Sequence, residues 1–404
     1  MNIFHRLTRR IEPCINNLVK TKSIRYIPVI ILFNSLKDTS INRKLTRAGF
    51  KSKWELPFIN GICGLLPSRN IEEFKKIIEI KKIYYDGKAK LMGWIDANPG
   101  KYESSSYLSK SSSLSGKGVS IAFIDSGVYP HKALVSSIKN IKAFKDFINN
   151  VNYPYDDSGH GTACIGAACG FLPHDNFIAP AFNSSVICAK TFDMSCYGFY
   201  SDILAAMQWI LDIKEKYNIK ITVMPFGVER PINDFDILSL GAETMCQNNI
   251  LVVTCAGNLG PHSGTITSPG HNSRVLTIGA FKNKDNKPEI LSFSSRGPGL
   301  GSLNKPDAVM NGYFITSLSS DTSYQPEERN KFNHNPKKID YIRFSGTSAA
   351  VSQAAAAAAW LYEKKGDISP NDAKSIIKLC TTSLGEIKIA QGGGFIDFKK
   401  IEDA

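Results

Sequence analysis

Four polar residues, far apart along the chain, stand where polar side chains can do chemistry. Asp125 closes the apolar run Ile121-Ala-Phe-Ile-Asp-Ser-Gly, and His160 lies in Asp156-Asp-Ser-Gly-His-Gly-Thr ahead of a stretch of small residues. Asn258 follows Leu251-Val-Val-Thr-Cys-Ala-Gly, and Ser348 sits in Ser345-Gly-Thr-Ser-Ala-Ala at the mouth of an alanine-rich run. Singly, each has an ordinary explanation: a turn carboxylate, a structural imidazole, a turn amide and a helix cap. Together they are the parts of an acyl transfer. A serine hydroxyl becomes a nucleophile when an imidazole takes its proton and a carboxylate orients that imidazole, and the oxyanion that forms needs donors aimed at it.

Such parts have to be held by elements. From Val119 onward, short apolar runs (119–124, 185–190, 219–224, 250–255 and 275–278) alternate with helical patterns at 201–216 and 238–247. Strands joined by crossover helices make a mostly parallel sheet covered on both faces, and ligands gather at the carboxyl ends of such strands. Asp125 and Asn258 fall at two of those ends. Ser348 begins a helix, where free backbone N–H groups favour negative charge. The run Ala354 to Ala359 is read as a buried helix that approaches the sheet closely.

The ordered motifs Asp125-Ser-Gly, His160-Gly-Thr, Ala256-Gly-Asn and Gly346-Thr-Ser resemble those of the subtilisin-like serine proteases, and further matches lie in Ser292-Phe-Ser-Ser-Arg-Gly-Pro, Lys305-Pro-Asp, Ser369-Pro-Asn-Asp and Gly392-Gly-Gly-Phe-Ile-Asp. The resemblance covers about residues 112–399 and implies an α/β, subtilisin-like three-layer fold with a mostly parallel sheet. It also implies a serine endopeptidase in which Asp125 orients His160, His160 serves as base and then acid, Ser348 attacks, and Asn258 and the Ser348 N–H form the oxyanion hole. Extended substrate would bind along Gly198, Phe199, Tyr200 and along Pro225, Phe226, Gly227, with Ala256, Gly257 and Thr267 shaping the primary pocket. No metal enters the chemistry so implied. Structural calcium is left open, with Asp175-Asn176 as a weak candidate. Three positions differ from the family pattern: Pro225 lacks an N–H, Ala349 begins a stretch without the usual proline, and Ala163 follows His-Gly-Thr.

The first quarter of the chain reads differently. A basic segment at 1–25 is expected to be an extension or a short helix, and 26–93 a small α+β, ferredoxin-like unit that resembles the family's inhibitory prosegment. A processing region and Ser/Gly-rich linker at 94–118 precede a catalytic domain at 119–404. The implied zymogen would cleave itself between about Gly87 and Gly100, its own prosegment being an intramolecular partner beside protein or peptide substrates. The alternative is a pseudoprotease that binds a protein partner through the same groove.

Charge and composition exclude other classes. Formal charge is +13, but residues 1–95 hold 19 Lys+Arg against 7 Asp+Glu, so the remainder is nearly neutral. That points to a solvated basic unit rather than a nucleic-acid-binding protein, since no stacking aromatics accompany the charge. The apolar run Ile27 to Phe33 is far short of the roughly 18 residues that span a bilayer, so no membrane span is expected. Nine scattered cysteines, without paired spacing, suit free thiols in a reducing compartment, and with no signal peptide seen the expected location is cytoplasmic.

Overall fold

The strand that ends in Asp125 runs Ser120–Asp125 and is buried throughout. Its residues alternate between two cores: Ile121 and Phe123 face one, Ala122 and Ile124 the other. A strand covered on both faces has to be apolar along its length, which is why it reads as a continuous hydrophobic run. The computed structural model in which this is seen describes residues 10–20, 24–35, 40–96, 112–135, 140–229, 236–284, 287–324, 326 and 341–404.

Around this strand the sheet is parallel. Ser185–Lys190 and then Ile141–Asp146 lie on one side; Ile219–Met224, Leu251–Cys255, Leu276–Lys284 and Ala308–Asn311 follow in order on the other. Phe395–Ile396 and an antiparallel Thr381–Thr382 complete that edge. On one face, the helix Thr347–Lys365 packs with His160–Cys169; on the other lie Tyr200–Tyr217 and Ile237–Gln247. Ala354 to Ala359 are all fully buried, so the alanine run is the close helix-to-sheet contact expected of it. The two expected strands at 185–190 and 219–224 have those bounds in the structure.

The N-terminal unit is a four-stranded antiparallel sheet in the order Lys51–Leu56, Gly61–Pro67, Tyr26–Phe33, Ile80–Tyr85, with helices Ser40–Arg47 and Ile71–Lys76. Val29, Ile31 and Phe33 face a core of its own with Leu45 and Phe74, whereas Ile30 and Leu32 join the core that holds Leu204 and Ile237. The unit therefore lies on the outer face of the two sheet-covering helices. Polar contacts register it: Asp202 accepts from Trp54 Nε1 at 2.7 Å and Lys53 Nζ at 2.8 Å, Gln208 Oε1 accepts from Phe58 N at 2.8 Å, and Asp86 Oδ1 accepts from Ser201 N at 2.9 Å.

Two expectations at its ends differ from what is seen. Residues 11–20 are not an appended extension: Ile11 and Ile15 are buried in the unit's core, and Glu12 accepts from Tyr85 N at 2.8 Å. The other reading of this segment, a short helix, fits what is seen: Pro13–Lys20 is an eight-residue helix with one buried residue, Ile15. Trp94–Asp96, expected to open a linker, forms a strand against Tyr341–Ser345, because that strand offers a free edge. Residues 97–111, the rest of the serine-rich stretch, lie outside the described residues.

Candidate active site

The sheet and the two helices on its first face converge on Asp125, His160 and Ser348, all buried. Asp125 Oδ1 lies 2.8 Å from His160 Nδ1 and accepts from Ser126 N at 2.6 Å. His160 is the first residue of its helix, and Asp156 fixes that helix start by accepting five hydrogen bonds, from Ser126 Oγ, Ser158 N, Gly159 N, and both N and Oγ1 of Thr162. The Phe344 ring stands edge-on to the imidazole, centroids 5.4 Å apart. The imidazole is thus held from its carboxylate side and on one face.

Ser348 is the second residue of its helix, where backbone N–H groups lack partners within the helix. Asn258 Oδ1 accepts from Thr347 N at 3.1 Å and Thr347 Oγ1 at 2.8 Å. With its oxygen so used, the Asn258 amide presents its NH₂ end away from the helix. The next N–H, that of Ser348, donates to the carbonyl of Met92 at 3.0 Å. Ser348 Oγ donates to the Pro225 carbonyl at 2.8 Å, and His160 Nε2 has no hydrogen-bond partner among the described residues. The carboxylate and imidazole are therefore joined, whereas serine and imidazole await a turn of the serine side chain.

The cleft in front of these groups is filled by the chain itself. Lys88–Leu91 is the middle strand of a three-stranded antiparallel sheet, between Tyr197–Phe199 and Phe226–Gly227. Ala89 faces Gly198, Lys88 faces Phe199, Leu91 faces Phe226 and Lys90 faces Gly227. The ends are tied by Tyr200 N to Gly87 O at 2.9 Å, and by Met92 N to Pro225 O, also at 2.9 Å. The proline at 225 costs an N–H, but the carbonyl it keeps is the group the cleft uses. Gly227 lies against Met92 and Thr267: a Cβ there would meet Met92 Cε at 2.7 Å and Thr267 Oγ1 at 2.3 Å. Thr267 N and Oγ1 both donate to Ala256 O, and a Cβ on Gly257 would meet Thr267 Cγ2 at 2.6 Å, so Ala256, Gly257 and Thr267 form one wall beside Met92.

Residues 116–395 match the model of the subtilase family of peptidases. The chain is a subtilase. It is 31% identical over 311 residues to the serine protease AprX of Bacillus subtilis, spanning 74% of this chain and 69% of that one. It is also 24% identical over 284 residues to subtilisin Savinase of Lederbergia lenta, spanning 70% of this chain and 90% of that one. Among solved structures, fervidolysin from Fervidobacterium pennivorans, titled a keratinolytic enzyme related to subtilisin, superposes with a TM-score of 0.73 over 94% of this chain and 61% of its own, at 14% identity. The fold is accordingly the subtilisin-like α/β arrangement, and membership of the family makes the chain a serine endopeptidase, a hydrolase.

Several groups that build this subtilase's site carry no signal in the sequence. Asp156 stands next to Asp157, yet Asp157 pairs instead with the buried Lys190 at 2.6 Å. Met92, Gly93 and Trp94 belong to no motif, and Phe344 precedes one. Cys164 and Cys255, near the site in sequence, are buried thiols: burial holds Cys164 well above its ordinary value, with the Asp125 charge adding to it, and burial pushes Cys255 up to about 12. Neither is a thiolate at neutral pH. All nine cysteines are free. Asp175, the calcium candidate, accepts from Tyr341 Oη at 2.8 Å, and Lys132 Nζ lies 3.7 Å from it. Among the described residues no helix is long and apolar enough to cross a membrane.

Proposed function

We propose that the chain is a serine endopeptidase made as a zymogen, that Asp125, His160 and Ser348 are its catalytic residues, and that the first bond it cuts is its own Met92–Gly93 peptide. The observation that carries the reading is the seat of that bond. The Met92 carbonyl oxygen rests on the Ser348 N–H, while an ideal Cβ on Gly93 would lie 3.1 Å from His160 Nε2. One side of the peptide is against the oxyanion donor, the other against the group that has to protonate the leaving amine.

The chemistry follows from those positions. Ser348 Oγ turns from Pro225 O and bonds to the Met92 carbonyl carbon as its proton passes to His160 Nε2. The carbonyl oxygen becomes an oxyanion held by the Ser348 N–H and the Asn258 amide, and Asp125 stabilises the imidazolium through Nδ1. The C–N bond then breaks, and the proton on Nε2 goes to the Gly93 nitrogen. Water, deprotonated by the same imidazole, attacks the Met92 ester and restores Ser348. Every step draws on side chains and backbone of this chain.

On this reading residues 10–92 are the prosegment, docked through the helix Tyr200–Tyr217 and by strand addition, and residues 119–404 are the catalytic domain. The free, mostly buried thiols support a reducing working compartment. The test is the N-terminal sequence and mass of purified protein. Wild type should yield a fragment that begins at Gly93, and Ser348→Ala should remain whole; an intact wild type that hydrolyses no denatured protein would instead make the groove a binding surface.

A further inference from the structure

We propose that the cleft selects glycine immediately after the scissile bond, and that Phe344 is the side chain that imposes the choice. The inference rests on reading Met92–Gly93 as a substrate bond. The juxtaposition behind it is tight on three sides: a Cβ built on Gly93 would lie 2.7 Å from Phe344 Cε2, 3.1 Å from His160 Nε2 and 3.1 Å from the Ser345 carbonyl oxygen. Carbon atoms in contact sit about 3.5–4.0 Å apart, so the ring leaves no room for a methyl group.

Backbone conformation does not explain the glycine. Gly93 is not among the residues of positive φ, so an L residue could adopt its conformation if space allowed. Space is the obstacle, and two of its three walls are fixed by the chemistry: the imidazole has to face the leaving nitrogen, and the Ser345 carbonyl belongs to the strand that leads into Ser348. Phe344 is the wall that a different side chain could move.

That wall is held in place. Phe344 is fully buried, lies in the strand Tyr341–Ser345 between Ile315–Leu318 and Trp94–Asp96, and packs edge-on against the imidazole with planes at 89°. Swinging the ring away would open the core and withdraw the face that steadies His160. The restriction is confined to one position. Trp94, the next residue, is 44% exposed and rests on the edge of Phe293, so the cleft opens again at once. On the other side of the bond, Met92 fills a narrow space beside Gly227 and Thr267, which suits an unbranched apolar side chain. The substrates so defined are extended peptides with an apolar residue followed by glycine.

The experiment uses the processed enzyme and the peptides Ala-Lys-Leu-Met-Xaa-Trp with Xaa glycine, alanine or valine. The expected kcat/KM falls about tenfold from glycine to alanine and about a hundredfold or more to valine, the size of a modest and a severe overpacking penalty. Phe344→Leu should bring alanine to within about threefold of glycine. Equal rates for glycine and valine in wild type would overturn the inference, and that series decides the matter even if the Phe344 variant does not fold. Denatured casein separates the two readings. If casein is digested while the peptide series is flat, only the selectivity is wrong; if neither casein nor the glycine peptide is cut, the peptidase reading fails and this inference with it.

Discussion

Upstream of the Met92–Gly93 bond the chain is held along both of its edges, and downstream along one. Lys88–Leu91 is sandwiched between two strands, and Ala89, Leu91 and Met92 are buried; among the described residues Trp94–Asp96 pairs with Tyr341–Ser345 alone, and its side chains are exposed or half-buried. The difference suits a reaction in two halves. In the proposed self-cleavage the amine would leave first, while the acyl half stays on the serine until water arrives. A site that gripped both halves equally would favour the reverse reaction. The strong upstream grip also explains how a cut prosegment would persist in the cleft as an inhibitor.

The largest expected effect separates this grip from the chemistry it serves. Asn258→Ala should slow the appearance of the Gly93 N-terminus by about 100- to 1000-fold, a size established for subtilisin itself rather than derived from this geometry. Residues 87–92 should stay docked, because their bonds run to Cys196–Tyr200, to Pro225–Gly227 and to the Ser348 N–H, and among the described residues none runs to the Asn258 amide. Protection of the Lys88–Leu91 amides from hydrogen exchange, measured alongside the rate, checks both halves; a variant that loses protection would show that Asn258 also holds the strand.

Next in size is a blow to the upstream side alone. Gly227→Val places atoms where Thr267 Oγ1 and Met92 Cε already lie, so kcat/KM for peptides with methionine before the bond should fall about a hundredfold. If kcat/KM for peptides with alanine at that position fell as far, the loss would be in the fold of the cleft rather than in the space beside Met92.

What the sequence disclosed and what it withheld follow the same division. The patterns around Asp125, His160, Asn258 and Ser348 place them near strand ends and helix starts, but it is their ordered motifs, which resemble those of the subtilisin-like proteases, that mark them as a set. The strand that occupies the cleft leaves none. Lys-Ala-Lys-Leu at 88–91 is a strand only because Tyr197–Phe199 and Phe226–Gly227 offer their edges to it, and Trp94–Asp96 is three residues long. Ile141–Asp146 escaped for a related reason: at the sheet's edge, with two lysines and one buried residue, it lacks the apolar run of its neighbours. The division of labour between Asp156 and Asp157 is tertiary, since identical adjacent carboxylates differ only in what faces them.

A smaller effect concerns the anchor behind the upstream strand. Asp86 accepts from Ser201 N at the start of the helix Tyr200–Tyr217, a cap supplied by one unit to the other. Burial raises its carboxyl above the ordinary 3.8, against the lowering influence of Ser201 and Lys53, with Asp202 adding to the rise. Docking therefore binds a proton: the contribution of Asp86 is fully present below pH 3.8 and is lost as pH rises through the docked value. The affinity of residues 10–92 for a Ser348→Ala catalytic unit produced separately from Gly93 onward should thus decline with rising pH from that point. Asp86→Asn, which keeps an acceptor without the charge, should flatten this part of the profile, and Asp86→Ala should weaken docking about fivefold by removing the cap. A profile unchanged by Asp86→Asn would assign the pH dependence to another group.

An effect of similar size belongs to the downstream side and tests the asymmetry directly. Trp94 pairs through its backbone with Ser345, and its ring, in a residue 44% exposed, stands against Phe293 with centroids 4.9 Å apart. An edge-on aromatic pair contributes about 0.5–1.5 kcal/mol, so Trp94→Ala should slow self-processing by only about two- to tenfold. Phe293→Ala should give the same loss, and the double variant no more than either, since the two rings share a single interaction. A loss from Trp94→Ala as large as that from Gly227→Val would mean that the downstream half is gripped as firmly as the upstream half, and the amine's early departure would then need another cause.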